Sequence, residues 1–260
     1  MKPIFETEWD KLLKKEEKFL QGMRKEKQFV WKQKIEEKIP QKLADSLKSA
    51  FGKAFFMMFE KGNGWIEKTI SNDLVLEYDV NEFRMQKAPT KQSWKKLKQK
   101  GGQKGNFNTI LTTLEGVGLG TLGIGLPDIP IFIGMLLKGL YETAACYGFD
   151  YQKEEEKIFL LWLICGAMGK DDLQIEANEK LDRWIMEKSI PIYDKKKEIE
   201  KAADALAFGM LTAKFIQGIP IVGIVGGVVN PLIYHKIQKY ANLKYQKRYL
   251  RKKGKYRTEK

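Results

Sequence analysis

Gly118-x-Gly120-x-x-Gly123 has the spacing of the fingerprint that cradles a dinucleotide pyrophosphate, and Glu142 follows about twenty residues on, where an acid would meet the ribose. That chemistry needs a strand feeding the glycines and a helix opening among them. Here the glycines run into Pro127 and Pro130, and Glu142 falls on a helix face, so nucleotide binding is not expected. His235 is the one histidine of the chain, which removes most histidine-based metal sites and leaves a single imidazole base. Cys146 is the thiol it would serve, but no spacing joins the two, and neither an HExxH nor a GxSxG motif occurs. Carboxylates remain. Glu115 and Asp128 flank the glycine run, and Asp128 sits among apolar residues, where a carboxyl titrates high unless it is hydrogen-bonded. The same aspartate suits the cap of the helix that follows, and this is the favoured reading. No catalytic, cofactor-binding or metal-ligating residue is assigned.

The elements that must position these residues are helices. Trp9, Leu12, Leu13, Phe19, Leu20, Met23, Val30 and Trp31 recur every three or four residues, with lysines between them, behind a Thr7/Asp10 pair that resembles a capping box. Pro40 ends that helix or begins the next, whose stripe is Leu43, Leu47, Phe51, Phe55 and Met58. Residues 71–106 read as an irregular basic linker. Leu74 to Val80 is a strand or loop, and the lysines from Lys91 lie on a helix that runs out at Gly101-Gly102. Beyond the glycine run, Ile129 to Ala145 has helical spacing and Gly148 is placed to terminate it. Ile158 to Met168 is apolar on every side and reads as a central helix; 173–190 and 198–217 are amphipathic. Strand signals are few. An all-α multi-helix bundle is expected, with amphipathic N-terminal helices over 1–70, a helical core over 107–250 and a basic tail over 251–260. Two cysteines this sparse form no disulfide framework and are expected to pack as small hydrophobes.

The net charge is +14, and all but six of the 47 basic residues are lysine. Base readout and phosphate clamping lean on the arginine fork, whereas attraction to lipid headgroups has no such preference, so the composition favours a surface over specific nucleic-acid readout. Residues 119–137 and 215–234 are each about the length that spans a bilayer, roughly twenty residues. Both basic flanks would then lie on one side, in agreement with the positive-inside rule. Asp128 opposes insertion: it costs about 2.5–3.5 kcal/mol, against about 0.3–0.6 gained for each Leu, Ile, Val or Phe. Buried hairpins, hairpins dipping into one leaflet and true spans all fit the pattern. The end of the chain from Lys236 holds eleven Lys and Arg and one acid, with Tyr240, Tyr245 and Tyr249 interleaved, which suits an anionic leaflet.

Glu115-Gly116, the glycine run, Asp128-Ile-Pro130 and Tyr147-Gly148-Phe149-Asp150, together with Ile39-Pro40, Pro220, Gly223, Asn230 and Arg248, resemble the EcsC protein family over about residues 9–250. Pro127 departs from the small residue more usual there. The resemblance implies a bacterial, membrane-linked setting, since the namesake is encoded beside the subunits of an ABC transporter. It supplies no reaction and no catalytic residue. The candidate functional loop it marks is Glu115, Gly116, Gly118, Gly120, Gly123, Asp128, Pro130 and Asn230.

The expected function is that of a non-enzymatic accessory protein, cytoplasmic and peripheral to or inserted in the inner face of the cell membrane. It would assist or regulate an ABC transporter or secretion process, with anionic lipid and a membrane protein as partners and no cofactor. Candidate cations for the anionic surface are Lys95, Lys96 and Lys98, then Lys244, Lys247 and Arg248, and finally Arg251, Lys252 and Lys253. The rivals are a nucleic-acid binder using Lys91 to Lys104 and the tail, and a lipid-active hydrolase centred on Asp128.

Overall fold

The computed structural model of the protein describes residues 4–32, 34, 36–60, 73–87, 89–103, 128–216 and 229–254. Among them are nine α-helices and one 3-10 turn at Glu36–Lys38, with no strand. The helices are α1 (Ile4–Lys32), α2 (Gln41–Glu60), α3 (Asp73–Lys87), α4 (Lys91–Gln103), α5 (Asp128–Cys146), α6 (Glu154–Met168), α7 (Asp171–Glu187), α8 (Lys195–Ile216) and α9 (Val229–Lys253). The all-α expectation holds.

Two helices with no polar face make the centre. Every residue of α6 from Ile158 to Met168 is buried, as its apolar sequence requires, between α7, α8 and α9. α5 is buried from Ile129 to Tyr147 except at Ile131, against α2, α3, α4 and α9. Its segment Ile129–Cys146 is the one described helix long and apolar enough to cross a membrane, and 94% of it is buried in the protein. The described half of the 119–137 stretch is therefore core. Of the 215–234 stretch, Ile233 and Tyr234 are buried while Ile216 and Leu232 are exposed; residues 217–228 lie outside the described residues. α9 is the hub, packing on α1, α4, α5, α6, α7 and α8.

The helix ends follow local chemistry. α5 stops in a Schellman turn: Gly148 takes φ +73°, its N–H bonds the Ala145 carbonyl at 2.9 Å, and the Phe149 N–H bonds the Ala144 carbonyl at 3.0 Å. Tyr78 of α3 lies against that glycine so closely that an added Cβ would meet its ring at 2.1 Å. Pro40 begins α2, its carbonyl accepting from the Leu43 and Ala44 N–H groups. A reciprocal box opens α4, where Thr90 Oγ1 accepts from the Ser93 N–H at 3.1 Å and Ser93 Oγ accepts from the Thr90 N–H at 3.0 Å.

Three readings differ from what is found. The expected linker over 71–106 holds α3 and α4: Leu74-Val75-Leu76 looks like a strand locally, but Asn81 and Met85 are buried four residues apart on a helix face. α1 starts at Ile4, so Thr7 lies inside the helix rather than capping it, and the first turn places Phe5 against the core. The basic end continues as a helix to Lys253, as its sequence reads, but Lys244 and Lys247, taken as surface cations, are buried.

Candidate functional site

Three helices each carry a pair of lysines three residues apart, and the fold converges them. Lys15 and Lys18 on α1, Lys95 and Lys98 on α4, and Lys236 and Lys239 on α9 line one groove of about 960 Å³. Side chains three or four apart on a helix share a face, so each helix presents its pair together. On α9 the same face continues through Asn242, Leu243 and Gln246, and His235 opens it. Of the described Phe, Tyr and Trp residues only Phe19 lines it, with buried aromatics behind. Phe19 stacks on Tyr240 with centroids 5.4 Å apart, the Lys239 ammonium lies 5.8 Å above the Phe19 ring, and Lys98 lies 5.4 Å from the Trp94 ring.

One carboxylate, Glu26, enters the groove wall, where Lys236 pairs with it at 2.8 Å. Lys98 is held from behind by Glu8 at 2.9 Å. Burial alone would push the Glu8 carboxyl up. The hydrogen bonds from Lys11 and Lys98, the Lys98 charge and the Trp94 indole N–H outweigh it and bring its pKa down to about 2. Lys15, Lys18, Lys95 and Lys239 have no carboxylate partner among the described residues. The concavity therefore gathers uncompensated positive charge, and a concave wall concentrates its field.

Further along α9 the cations are used inside the protein. Lys244, 0% exposed, sits between Glu16 at 2.6 Å and Asp182 at 2.7 Å, and Lys247 bridges the same two acids at 2.9 Å each. Burial favours the neutral amine of Lys244, but the two carboxylates outweigh it and raise its pKa. Arg248 Nη1 donates to both oxygens of Glu156 at 2.7 Å, and the guanidinium lies 4.1 Å from the Phe149 ring and 4.5 Å from Phe159. Tyr245 donates to the same Glu156, and Tyr249 donates to Glu82 of α3. Lys253 also pairs with Glu82, and Arg251 donates to the Met186 carbonyl. Of the candidate surface cations, then, Lys95, Lys96 and Lys252 are exposed. Lys98 lines the groove while paired, and Lys244, Lys247 and Arg248 face inward. The three tyrosines interleaved among them are core residues.

The candidate loop is only partly visible. Glu115, Gly116, Gly118, Gly120 and Gly123 lie outside the described residues. α5 begins at Asp128 and α9 includes Asn230, but the side chains of both lie outside the described ones. Pro130 is buried in the first turn of α5, the position where proline costs no hydrogen bond. Cys146 and Cys165 are free and buried, as their apolar settings imply. Burial, with Glu198 nearby, pushes the Cys165 thiol well up, which removes it as a nucleophile. Glu142, noted for its distance from the glycines, is buried in an ion pair with Lys138 one turn away. Among the described residues no three His, Cys, Asp or Glu side chains gather as a metal site would need.

Sequence reasoning found Lys95 and Lys98 but missed Lys15, Lys18, Lys236 and Lys239 as groove residues. The signal that could have found them is the lysine–two residues–lysine spacing repeated on three helices, each beside an aromatic: Phe19, Trp94 and Tyr240.

Fold and site together define an all-α protein wound around one central C-terminal helix and carrying a lysine-lined groove on that helix's outer face. The chain belongs to the EcsC protein family, whose model matches residues 6–250. It is 32% identical over 120 residues to Protein EcsC of Bacillus subtilis (strain 168), a match covering 45% of this chain and 48% of that protein, so it spans about half the length of this curated relative. No solved structure matches the chain.

Proposed function

We propose that this is a non-enzymatic accessory protein that lies peripherally against the inner face of the cell membrane, holding anionic lipid in the α1–α4–α9 groove. The observation that carries the reading is the convergence of three lysine pairs on one concavity with a single carboxylate in its wall. Each basic residue near an anionic surface contributes about 1 kcal/mol. Lys15, Lys18, Lys95 and Lys239 therefore supply about 4 kcal/mol, roughly a thousandfold in partitioning. Lysine point charges on flexible stems suit a fluid array of headgroups better than a fixed base edge. α3, which packs on α4, adds an exposed stripe of Leu76, Val80 and Phe83 at helical spacing, apolar surface that an interfacial contact would bury. From this position the protein would assist or regulate an ABC transporter or secretion process, the setting that its family implies.

Flotation with phosphatidylcholine vesicles, with and without phosphatidylglycerol, tests this. The wild-type chain floats with the anionic vesicles at low salt and is released as salt rises and the screening length shortens. Lys15→Glu/Lys18→Glu/Lys95→Glu, on exposed helix positions, folds and stays at the bottom. No flotation at low salt, or equal flotation with neutral vesicles, overturns the proposal. Retention of single- or double-stranded oligonucleotide in preference to anionic vesicles would put nucleic acid in the groove instead.

A further inference from the structure

Behind the lysine groove lies a second hollow of about 450 Å³, walled by the C-terminal half of α1, the α6–α7 junction and the last turns of α8. Its chemistry is different. Met23, Val30, Ala167, Met168, Phe208 and Gly209 give it a mainly apolar surface, into which the buried Gln174 and Thr212 also face, and Gln28 is exposed at its rim. The two hollows share three residues, Met23, Glu26 and Lys236, so they adjoin across one threshold, where Lys236 is paired to Glu26 at 2.8 Å. Both volumes fall in the usual range for small-molecule sites, about 300–1,000 Å³.

A groove that focuses positive charge and an apolar chamber on the far side of one ion pair together describe the two ends of one ligand. We propose that the pair of hollows holds a single molecule of anionic phospholipid, with its phosphate among the groove lysines and one acyl chain in the chamber. This rests on the membrane reading above and goes further: the lipid is a bound ligand with a defined stoichiometry, not only a surface. Free phosphate would satisfy the groove but leave the chamber unused, and a neutral amphiphile would fill the chamber but leave the lysines unpaired. The chamber wall is built to adapt. Two of its residues are methionines, whose unbranched thioethers rearrange readily around alkyl chains. Met168 reaches across to Gly209, where a Cβ would lie 2.2 Å from its Cε, so the space over that glycine is filled by the mobile tip of a side chain that a ligand can displace. Lys236 stands where head and chain would meet, and its ammonium can turn from Glu26 to a phosphate oxygen without leaving the groove.

The test is calorimetric titration of the full chain with lysophosphatidylglycerols of increasing chain length, each below its micelle concentration. Lysophosphatidylcholine and glycerol 3-phosphate serve as the neutral-head and head-only probes. One molecule binds per chain, at least tenfold more tightly than its phosphatidylcholine counterpart, and each added methylene tightens binding about fourfold until the chamber is full. Glycerol 3-phosphate binds at least a hundredfold more weakly than the longest lipid. Gly209→Leu fills the chamber and stops the chain-length gain early. Gln28→Trp, at an exposed position on the chamber rim, does the same should Gly209→Leu fail to fold by circular dichroism. Lys236→Ala/Lys239→Ala removes the preference for the anionic head while keeping the chain-length gain. Binding of several lipids per chain, head-only binding as tight as the lipid's, or an unaltered chain-length series in both chamber variants overturns the inference. If the wild type still floats with anionic vesicles in that case, the membrane reading stands and only the single-lipid site falls; if it does not float, the membrane reading itself has failed.

Discussion

Replacing Arg248 with alanine separates the core-facing cations of α9 from those that line the groove. In the native protein the guanidinium meets both oxygens of Glu156 at 2.7 Å, and the Glu156 side chain is 5% exposed. Arg248→Ala leaves that carboxylate buried with the Tyr245 hydroxyl as its remaining donor among the described residues. Breaking a buried pair by deleting one partner costs about 3–5 kcal/mol, because the remaining charge is uncompensated. Loss of the stacking on Phe149, Phe159 and Trp184 adds to this, so the upper half of the range is expected. In a chain of this length that lowers Tm by about 8–20 °C. Arg248→Lys keeps the charge and a single nitrogen donor but loses the flat surface stacked on Phe149, Phe159 and Trp184, and falls between the two. The decisive measurement is the double variant Arg248→Ala/Glu156→Gln: removing the stranded charge recovers much of the loss, although Glu156→Gln alone is destabilising. Urea unfolding followed by tryptophan fluorescence reads all four chains, since Trp184 lies 5.0 Å from the guanidinium. At low temperature, folded Arg248→Ala still floats with anionic vesicles, because the residue faces the core. A loss below about 1 kcal/mol, or no recovery in the double variant, would refute the electrostatic account of this helix.

Gly148→Ala destabilises by about 1–2 kcal/mol for the left-handed backbone alone, and by more because the new methyl meets the Tyr78 ring; Tyr78→Ala restores the second part and not the first, read from urea midpoints. Thr212→Val is expected to stabilise, by about 1 kcal/mol in thermal unfolding, because Thr212 Oγ1 is buried with no hydrogen-bond partner among the described residues. Glu8 titrates lower in the folded protein than its ordinary 4.5, near 2, so its contribution is complete above pH 4.5 and disappears as the pH falls from 4.5 toward 2. Glu8→Gln flattens urea midpoints across that window and leaves their other pH dependence intact. Phosphate at constant ionic strength raises Tm more than chloride does, and the Lys15→Glu/Lys18→Glu/Lys95→Glu variant loses that difference.

Where burial made the sequence periodic, the fold was readable before any coordinates. Ile158 to Met168 has no polar face and lies at the centre, and Gly148 marks the end of α5 because only a residue without Cβ fits the conformation and the Tyr78 contact. α3 was hidden because Leu74-Val75-Leu76 resembles a strand within a short window, and only partners on α4 and α5 decide for a helix. The end of the chain misled for a related reason. Lysine at a buried position is read as a surface residue unless its acid is known, and the acids that bury Lys244 and Lys247 are Glu16 and Asp182, far away in sequence. The groove was half legible: Lys95 and Lys98 stood out in a basic run, but Lys15 and Lys18 look like the ordinary solvated face of an amphipathic helix.

Net charge thus says little by itself about what this molecule attracts. Many of its cations answer acids of its own, and on α9 Lys244, Lys247, Arg248 and Lys253 are used that way. What distinguishes the groove is that six lysines meet where only Glu26 enters, and that they do so as i,i+3 pairs. Like charges at this spacing disfavour a helix by a few tenths of a kcal/mol each, about 0.2–0.5. Bringing three such pairs to one hollow compounds the repulsion. A lysine pair on a lone solvated helix is cheap and uninformative. Three pairs facing one hollow are a standing cost in the free protein, and a bound anion is what would relieve it. In the proposal made above, Phe19 in the groove and the adjoining chamber are what select an anion that carries a hydrocarbon chain.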